Sequence, residues 1–301
     1  MAKRKGKGGK GIIPVILLIV LLLIGGGLTL GDKEDMNPYS ATDAYVHFID
    51  VGQGSSTLIQ IGSKGILIDA GEDEYGDYVA DYVNSCGIDT LEYVVASHPH
   101  SDHIGGLCDV LERYPAKEMI MPYLTEENTP TTRVYERLLD CIAENEIPVT
   151  ASEVGDKYEL DGISMEILGP AEQDDDLNNM SVICRVAVNG SSFMILGDAE
   201  KPEMKSVFSA APTLTYKSDV VAMGHHGSRT SIQKDFLSAV DADVAVISCG
   251  KDNSYNHPHE EALEYIEKEN MTLYRTDYDG HVVFRCTENG YERVDSDETY
   301  R

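Results

Sequence analysis

Positive charge is what this 301-residue chain has least of: 24 lysines and arginines stand against 52 aspartates and glutamates, for a formal net charge of −28. Five of the basic residues (Lys3, Arg4, Lys5, Lys7 and Lys10) lie in the first ten positions, so the remainder is more acidic still. Such a surface repels phosphate backbones at long range, and a polyanion would need bound metal ions or a local basic groove to approach it. No C-x-x-C pair occurs among the six cysteines Cys86, Cys108, Cys141, Cys184, Cys249 and Cys286, which removes the common thiolate-zinc and dithiol motifs. Most of them sit in apolar runs such as Val182-Ile183-Cys184, where buried free thiols are expected rather than a disulfide framework. No stretch of linker composition divides residues 44–301, so one domain is expected there.

An A-x-A cleavage pattern is also missing after the apolar run of residues 12–24, and no cysteine follows for a lipid anchor. That run is interrupted only by Pro14, and with residues 25–30 it reaches about 19 positions, near the length that spans a bilayer. The pattern predicts a basic N-terminus and one uncleaved transmembrane segment over residues 1–31, with a cleaved signal peptide as the alternative. The basic flank stays cytoplasmic by the positive-inside rule. The chain is therefore expected at the cell membrane, single-pass, with its body outside the cytoplasm, or else secreted. Residues 32–43 read as a polar linker. Nothing indicates a stable protein partner.

What the chain does have is concentrated histidine. Three of only nine histidines fall within Ser97-His98-Pro99-His100-Ser101-Asp102-His103. The apolar run of residues 91–96 before it reads as a buried strand, and residues 104–111 after it are apolar at helical spacing. Ligands commonly gather at such a strand-to-helix turn, and neutral imidazoles beside a carboxylate suit zinc or another divalent transition metal. Other strand ends offer partners: Asp69 in Ile68-Asp69-Ala70-Gly71, Asp198 in Leu196-Gly197-Asp198, the pair in His225-His226-Gly227-Ser228, and Asn256-His257-Pro258-His259. Each half of the domain opens with strand pairs and continues with βα units, which argues for two sheets packed face to face with helices outside.

These motifs, together with His47-Phe48-Ile49-Asp50-Val51-Gly52-Gln53-Gly54 and Asn178-Asn179-Met180-Ser181, resemble the metallo-β-lactamase superfamily. Within it they are most similar to the soluble metallo-β-lactamase-like domain of ComEC-type competence proteins. The resemblance covers residues 44 to about 286 and implies an α/β fold, a four-layer αββα sandwich behind the transmembrane segment. It implies two divalent metal ions, Zn2+ or alternatively Mn2+. His98 and His100 would hold the first, Asp102 and His103 the second, with Asp198 bridging and His225 or His226 completing the second site. Asp69 would orient the metal loop, Asp102 or His257 would move a proton to the leaving group, and His257 and Ser228 would contact a phosphate. Two departures stand out: Asn178 or Asn179 occupies the place where many members supply a third histidine, and Ser55 replaces an acidic residue of the first motif.

The implied function is that of a membrane-tethered, extracytoplasmic, metal-dependent hydrolase using a metal-activated water, in particular a phosphodiesterase or nuclease acting on DNA or a nucleotide. The many-helix channel of ComEC is not seen here, so an uptake channel is not expected. Hydrolysis of an acyl bond (β-lactam, lactone or thioester) and a catalytically weak metal-binding scaffold are the alternatives.

Overall fold

Alternation along the strands decides the architecture. In β1 (Ala44–Phe48), Val46 and Phe48 join one apolar cluster while Tyr45 joins another on the opposite face. A strand buried on both faces belongs to an inner sheet covered on each side. The computed structural model describes residues 42–294. The predicted transmembrane segment, and all of the predicted linker but its last two residues, lie outside the described residues. Among the described residues no helix is long and apolar enough to cross a membrane.

Strands β1, β2 (Thr57–Ile61), β3 (Lys64–Ile68), β4 (Thr90–Val95), β5 (Glu118–Met121) and β6 (Val149–Ala151) form most of the first sheet. The second holds β7 (Lys157–Leu160), β8 (Ile163–Ile167), β9 (Cys184–Val188), β10 (Ser191–Ile195), β11 (Val220–Ala222), β12 (Val244–Ile247) and β13 (Thr272–Arg275). The chain then returns, through β14 (Val282–Thr287) and β15 (Gly290–Val294), to the edge of the first sheet, giving it the order β15-β14-β1-β2-β3-β4-β5-β6. Both sheets change from antiparallel pairing to parallel pairing, at β3 in one and at β10 in the other. Parallel strands deliver their carboxyl ends to one side, where turns collect ligands.

One apolar layer lies between the sheets, with Phe48, Ile59, Ile66 and Val95 meeting Met165, Val186 and Phe193. The outer face of the first sheet packs on α1 (Gly76–Ser85), α2 (Ser101–Ile104), α3 (Leu107–Arg113) and α4 (Arg133–Glu144). The outer face of the second packs on α5 (Lys201–Ala210), α6 (Lys234–Val240) and α7 (Glu260–Lys268). Helix α4 shows why these segments are helical: Tyr135, Leu138, Cys141 and Ile142 form one buried stripe, and the Thr132 hydroxyl accepts the Tyr135 N–H as an N-cap. The result is the four-layer αββα sandwich.

Three features depart from the sequence reading. The single helix expected over residues 104–111 is broken at Gly105-Gly106 into α2 and α3, because the Gly106 N–H donates to the Gly71 carbonyl and the Asp102 carbonyl accepts from the Ser55 N–H instead of the two continuing the helical ladder, and both glycines pack tightly on neighbouring backbone. A Cβ on Gly105 would come within 2.3 Å of the Asp73 nitrogen, and one on Gly106 within 2.4 Å of the Ala70 oxygen. Strand β15 and the short helix α8 (Thr276–Asp279) were not expected; both are too short and polar to carry a periodic apolar signal. All six cysteines are buried, and none forms a disulfide among the described residues.

Candidate metal centre

Asp69 ends β3 in a left-handed conformation, φ 60°, which turns its carboxylate into the molecule beneath the histidine loop. It accepts hydrogen bonds from the Ser97 N–H at 2.8 Å, the Ser97 hydroxyl at 2.6 Å and His103 Nδ1 at 2.7 Å. A carboxylate only accepts, so Nδ1 of His103 carries the proton and Nε2 is left facing the interior. That Nε2 lies 3.1 Å from Asp198 Oδ1, yet the two are not aligned as a hydrogen bond, and both atoms are buried without a hydrogen-bond partner.

Asp198 follows β10 and divides its two oxygens between two groups of side chains. Oδ1 faces His103 Nε2 and, at 3.6 Å, His226 Nε2; the latter is also 3.1 Å from Asp102 Oδ2. Asp102, His103, Asp198 and His226 can place four ligand atoms within 4.8 Å of one another. Oδ2 faces His98 Nε2 at 3.8 Å and His225 Nε2 at 3.7 Å, and His98 Nε2 is 3.0 Å from His100 Nδ1.

The adjacent pair His225-His226 follows β11 with both residues left-handed, at φ 51° and 54°. Two successive non-glycine residues in this region cost on the order of 1–3 kcal/mol each, the kind of strain that persists at functional sites. It lets neighbouring side chains serve one carboxylate, where extended backbone would send them to opposite faces. His226 Nδ1 donates to the Ser248 carbonyl at 2.9 Å, and His225 Nδ1 pairs with Glu200 Oε1 at 3.1 Å. In both rings Nε2 is therefore the atom offered to Asp198. The sequence left open which of the two belongs to the second group. The structure puts His226 there and turns His225 to the oxygen that His98 faces, so an imidazole stands near the first group despite the asparagines.

Electrostatics follow from this packing. Burial opposes charge on His103, but the facing carboxylates of Asp198 and Asp69 outweigh it and raise its pKa well above the ordinary value. Burial would raise Asp198, yet His103 and His226 hold its pKa well below the usual carboxylate range. Burial together with the neighbouring His103 pushes His98 down. The carboxylates demand positive charge at a buried point ringed by imidazole Nε2 atoms. That demand, and the orphaned His103 Nε2 and Asp198 Oδ1, fit a divalent metal ion bound by nitrogen and oxygen donors.

The remaining predicted residues separate. Asn178 lines the cleft above the cluster, and its Oδ1 is buried without a partner. Asn179 points elsewhere, accepting the Glu200 N–H and donating to Asp174. Ser228, expected to contact a phosphate, is buried and caps the following turn through the Thr230 N–H; it does not line the cleft. His257 does line it, held by Asn253, which accepts the His257 N–H and donates to its carbonyl. Burial and the surrounding histidines push His257 down to about 4, leaving a neutral ring. Glu200, Asn253 and the exposed Tyr255, whose ring stacks on His257 at 5.7 Å, went unassigned in the sequence. Glu200 had a signal, two positions beyond Asp198 at the same strand end. The cleft holds about 730 Å³; Glu72 and Glu74 are among its lining residues, and no lysine or arginine is.

Comparison with known proteins follows the same lines. The family model of the metallo-beta-lactamase superfamily matches residues 49–251. The chain is similar to ComE operon protein 3 of Bacillus subtilis (strain 168), 27% identical over 287 residues, covering 88% of this chain and 36% of that protein. It is similar to Recombination protein 2 of Haemophilus influenzae, 33% identical over 243 residues, covering 79% and 28%. Competence protein ComA of Neisseria gonorrhoeae is 28% identical over 250 residues, covering 82% and 33%. The chain thus spans about a third of the length of these relatives. Among solved structures, the metallo-beta-lactamase fold protein YhfI from Bacillus subtilis shares the fold at TM-score 0.51 and 13% identity, covering 81% of this chain and 99% of that one. The diiron beta-hydroxylase CmlA from Streptomyces venezuelae shares it at TM-score 0.54 and 11% identity, covering 85% and 55%. With a family model matched over more than half its length and the corresponding fold around a histidine–aspartate cluster, this chain belongs to the metallo-beta-lactamase superfamily.

Proposed function

We propose that this chain is a metal-dependent hydrolase that cleaves phosphodiester bonds of a nucleic acid or nucleotide with a metal-activated water, and that residues 1–31 tether it to the membrane with the domain outside the cytoplasm. The observation that carries the reading is Asp198, one buried carboxylate whose two oxygens each face a separate set of imidazoles. Two divalent cations, zinc or manganese, bound to those sets would supply Lewis-acid charge and lower the pKa of a shared water.

The chain's own residues do the rest. Asp69 and Glu200 fix the tautomers of His103 and His225, and Ser248 fixes that of His226. His100 and Asp102 stand at the cleft floor, and the neutral His257 offers a ring nitrogen to a substrate oxygen. Phosphodiester chemistry is favoured over acyl transfer by relatives named for competence and recombination.

The full chain should hydrolyse bis(p-nitrophenyl) phosphate when zinc or manganese is added. Asp198→Ala should lower the rate by more than about 100-fold and reduce bound metal, since both ligand sets lose their common member. Turnover of nitrocefin or a lactone with none of the phosphodiester would replace this reading by the acyl one. Failure to bind any metal would leave a scaffold.

A further inference from the structure

The surface is not uniformly acidic. Among the described residues there are seventeen lysines and arginines, and ten of them sit in ion pairs with carboxylates. Of the seven that do not, four gather on one face: Lys201, Lys205, Arg229 and Lys234 line two adjoining depressions that share Lys201. Glu261 and Glu264 contribute to one wall and Glu172 to the other, but none forms an ion pair with the four cations. With acidic residues in more than twofold excess over the chain, four exposed cations that outnumber the three glutamates beside them make a locally positive patch, to which an anion would be drawn.

Two of the four cations stand close to the metal cluster along the chain. Lys201 directly follows Glu200, the partner of His225. Arg229 lies three residues past His226, and its N–H donates to Nδ1 of His259, whose ring sits 4.8 Å from His257 at the cleft edge. The cleft has no lysine or arginine of its own and carries Glu72 and Glu74. A phosphate next to the scissile one finds no cation within the cleft, whereas Lys201 and Arg229 are tied by these contacts to the residues around it.

We propose that Lys201, Lys205, Arg229 and Lys234 form a track for the phosphates of a nucleic-acid strand entering the metal cleft, so that the substrate is a polynucleotide. This inference rests on the phosphodiesterase reading for its chemistry and on the unpaired cations for its geometry. Each phosphate contact on a single strand contributes about 0.7 to the slope of log affinity against log salt.

The test compares the full chain with the exposed triple variant Lys205→Gln, Arg229→Gln, Lys234→Gln, with added manganese, on a labelled 20-nucleotide single strand and on bis(p-nitrophenyl) phosphate. The variant should bind the strand at least about tenfold more weakly at low salt, with a slope shallower by about 2. Its bound metal, melting temperature and bis(p-nitrophenyl) phosphate turnover should be unchanged. Equal strand affinity and slope in the two proteins overturns the track. A parent that turns over the small ester but does not bind the strand also overturns it, and leaves the hydrolase reading intact. Patch-dependent strand binding without turnover of either substrate keeps the track and removes the phosphodiesterase. Patch-dependent binding to phosphatidylserine vesicles, with no strand binding, overturns it in favour of a membrane-facing surface.

Discussion

Asp69 shows how much one buried side chain can set. Its three accepted hydrogen bonds fix both the path of the loop at Ser97 and the tautomer of His103. Asp69→Asn keeps the shape and can still accept from Ser97, but its amide offers N–H groups toward His103, which moves that ring's proton to Nε2. Zinc affinity measured by competition with a chelating dye is expected to fall about 10- to 100-fold, with the far-ultraviolet spectrum unchanged. Unchanged affinity would show that Asp69 does not set the tautomer. At this scale the sequence was most readable where ligands are contiguous or end a strand: His98, His100, Asp102, His103 and Asp198 all reach one cluster. It was silent where adjacent residues compete, at His225-His226 and Asn178-Asn179. Their directions come from left-handed backbone and from the remote partners Glu200 and Ser248, and spacing encodes neither.

At the scale of elements, strand positions were recoverable because each carries an apolar run bounded by turn residues; Asp161-Gly162 and Asn189-Gly190 mark two of the hairpins. The break between α2 and α3 was not recoverable, since a close approach of two backbones leaves only glycine as its trace. Gly106 holds that approach, with a Cβ there falling 2.4 Å from the Ala70 oxygen and 2.8 Å from Gly76 Cα. Both neighbours are backbone and cannot swing away. Gly106→Ala is expected to destabilise the fold by about 1–3 kcal/mol, lowering the melting temperature by several degrees. Bound metal should fall as well, because α2 carries Asp102 and His103. A melting curve matching the parent's would show that the loop and helix part freely.

At the scale of the whole molecule, the cluster draws on both sheets. Asp69, His98 and the α2 residues follow strands of the first, while Asp198, His225 and His226 follow strands of the second. A metal ion held there would join the two layers and, binding the folded chain in preference to the unfolded one, would stabilise it by about 2.7 kcal/mol at a hundredfold excess over its dissociation constant. Chelation by EDTA should therefore lower the melting temperature of the intact protein, and restored zinc should return it. A melting temperature indifferent to both would mean that no metal bridges the layers. The two-sheet architecture was legible from the repeated order of strand pairs and βα units. The return of β14 and β15 to the first sheet was not, since it depends on which edge the last strands find.

The divided carboxylate of Asp198 has a consequence for how the chain reaches its native state. Its partners come from positions as far apart as His98 and His226, and between them the chain passes from the parallel strands of one sheet to those of the other. Contacts so distant in sequence form late, after much loop-closure entropy has been lost. No fragment ending before His226 contains the full ligand set. A metal ion held by both groups of side chains would thus report completion of the fold.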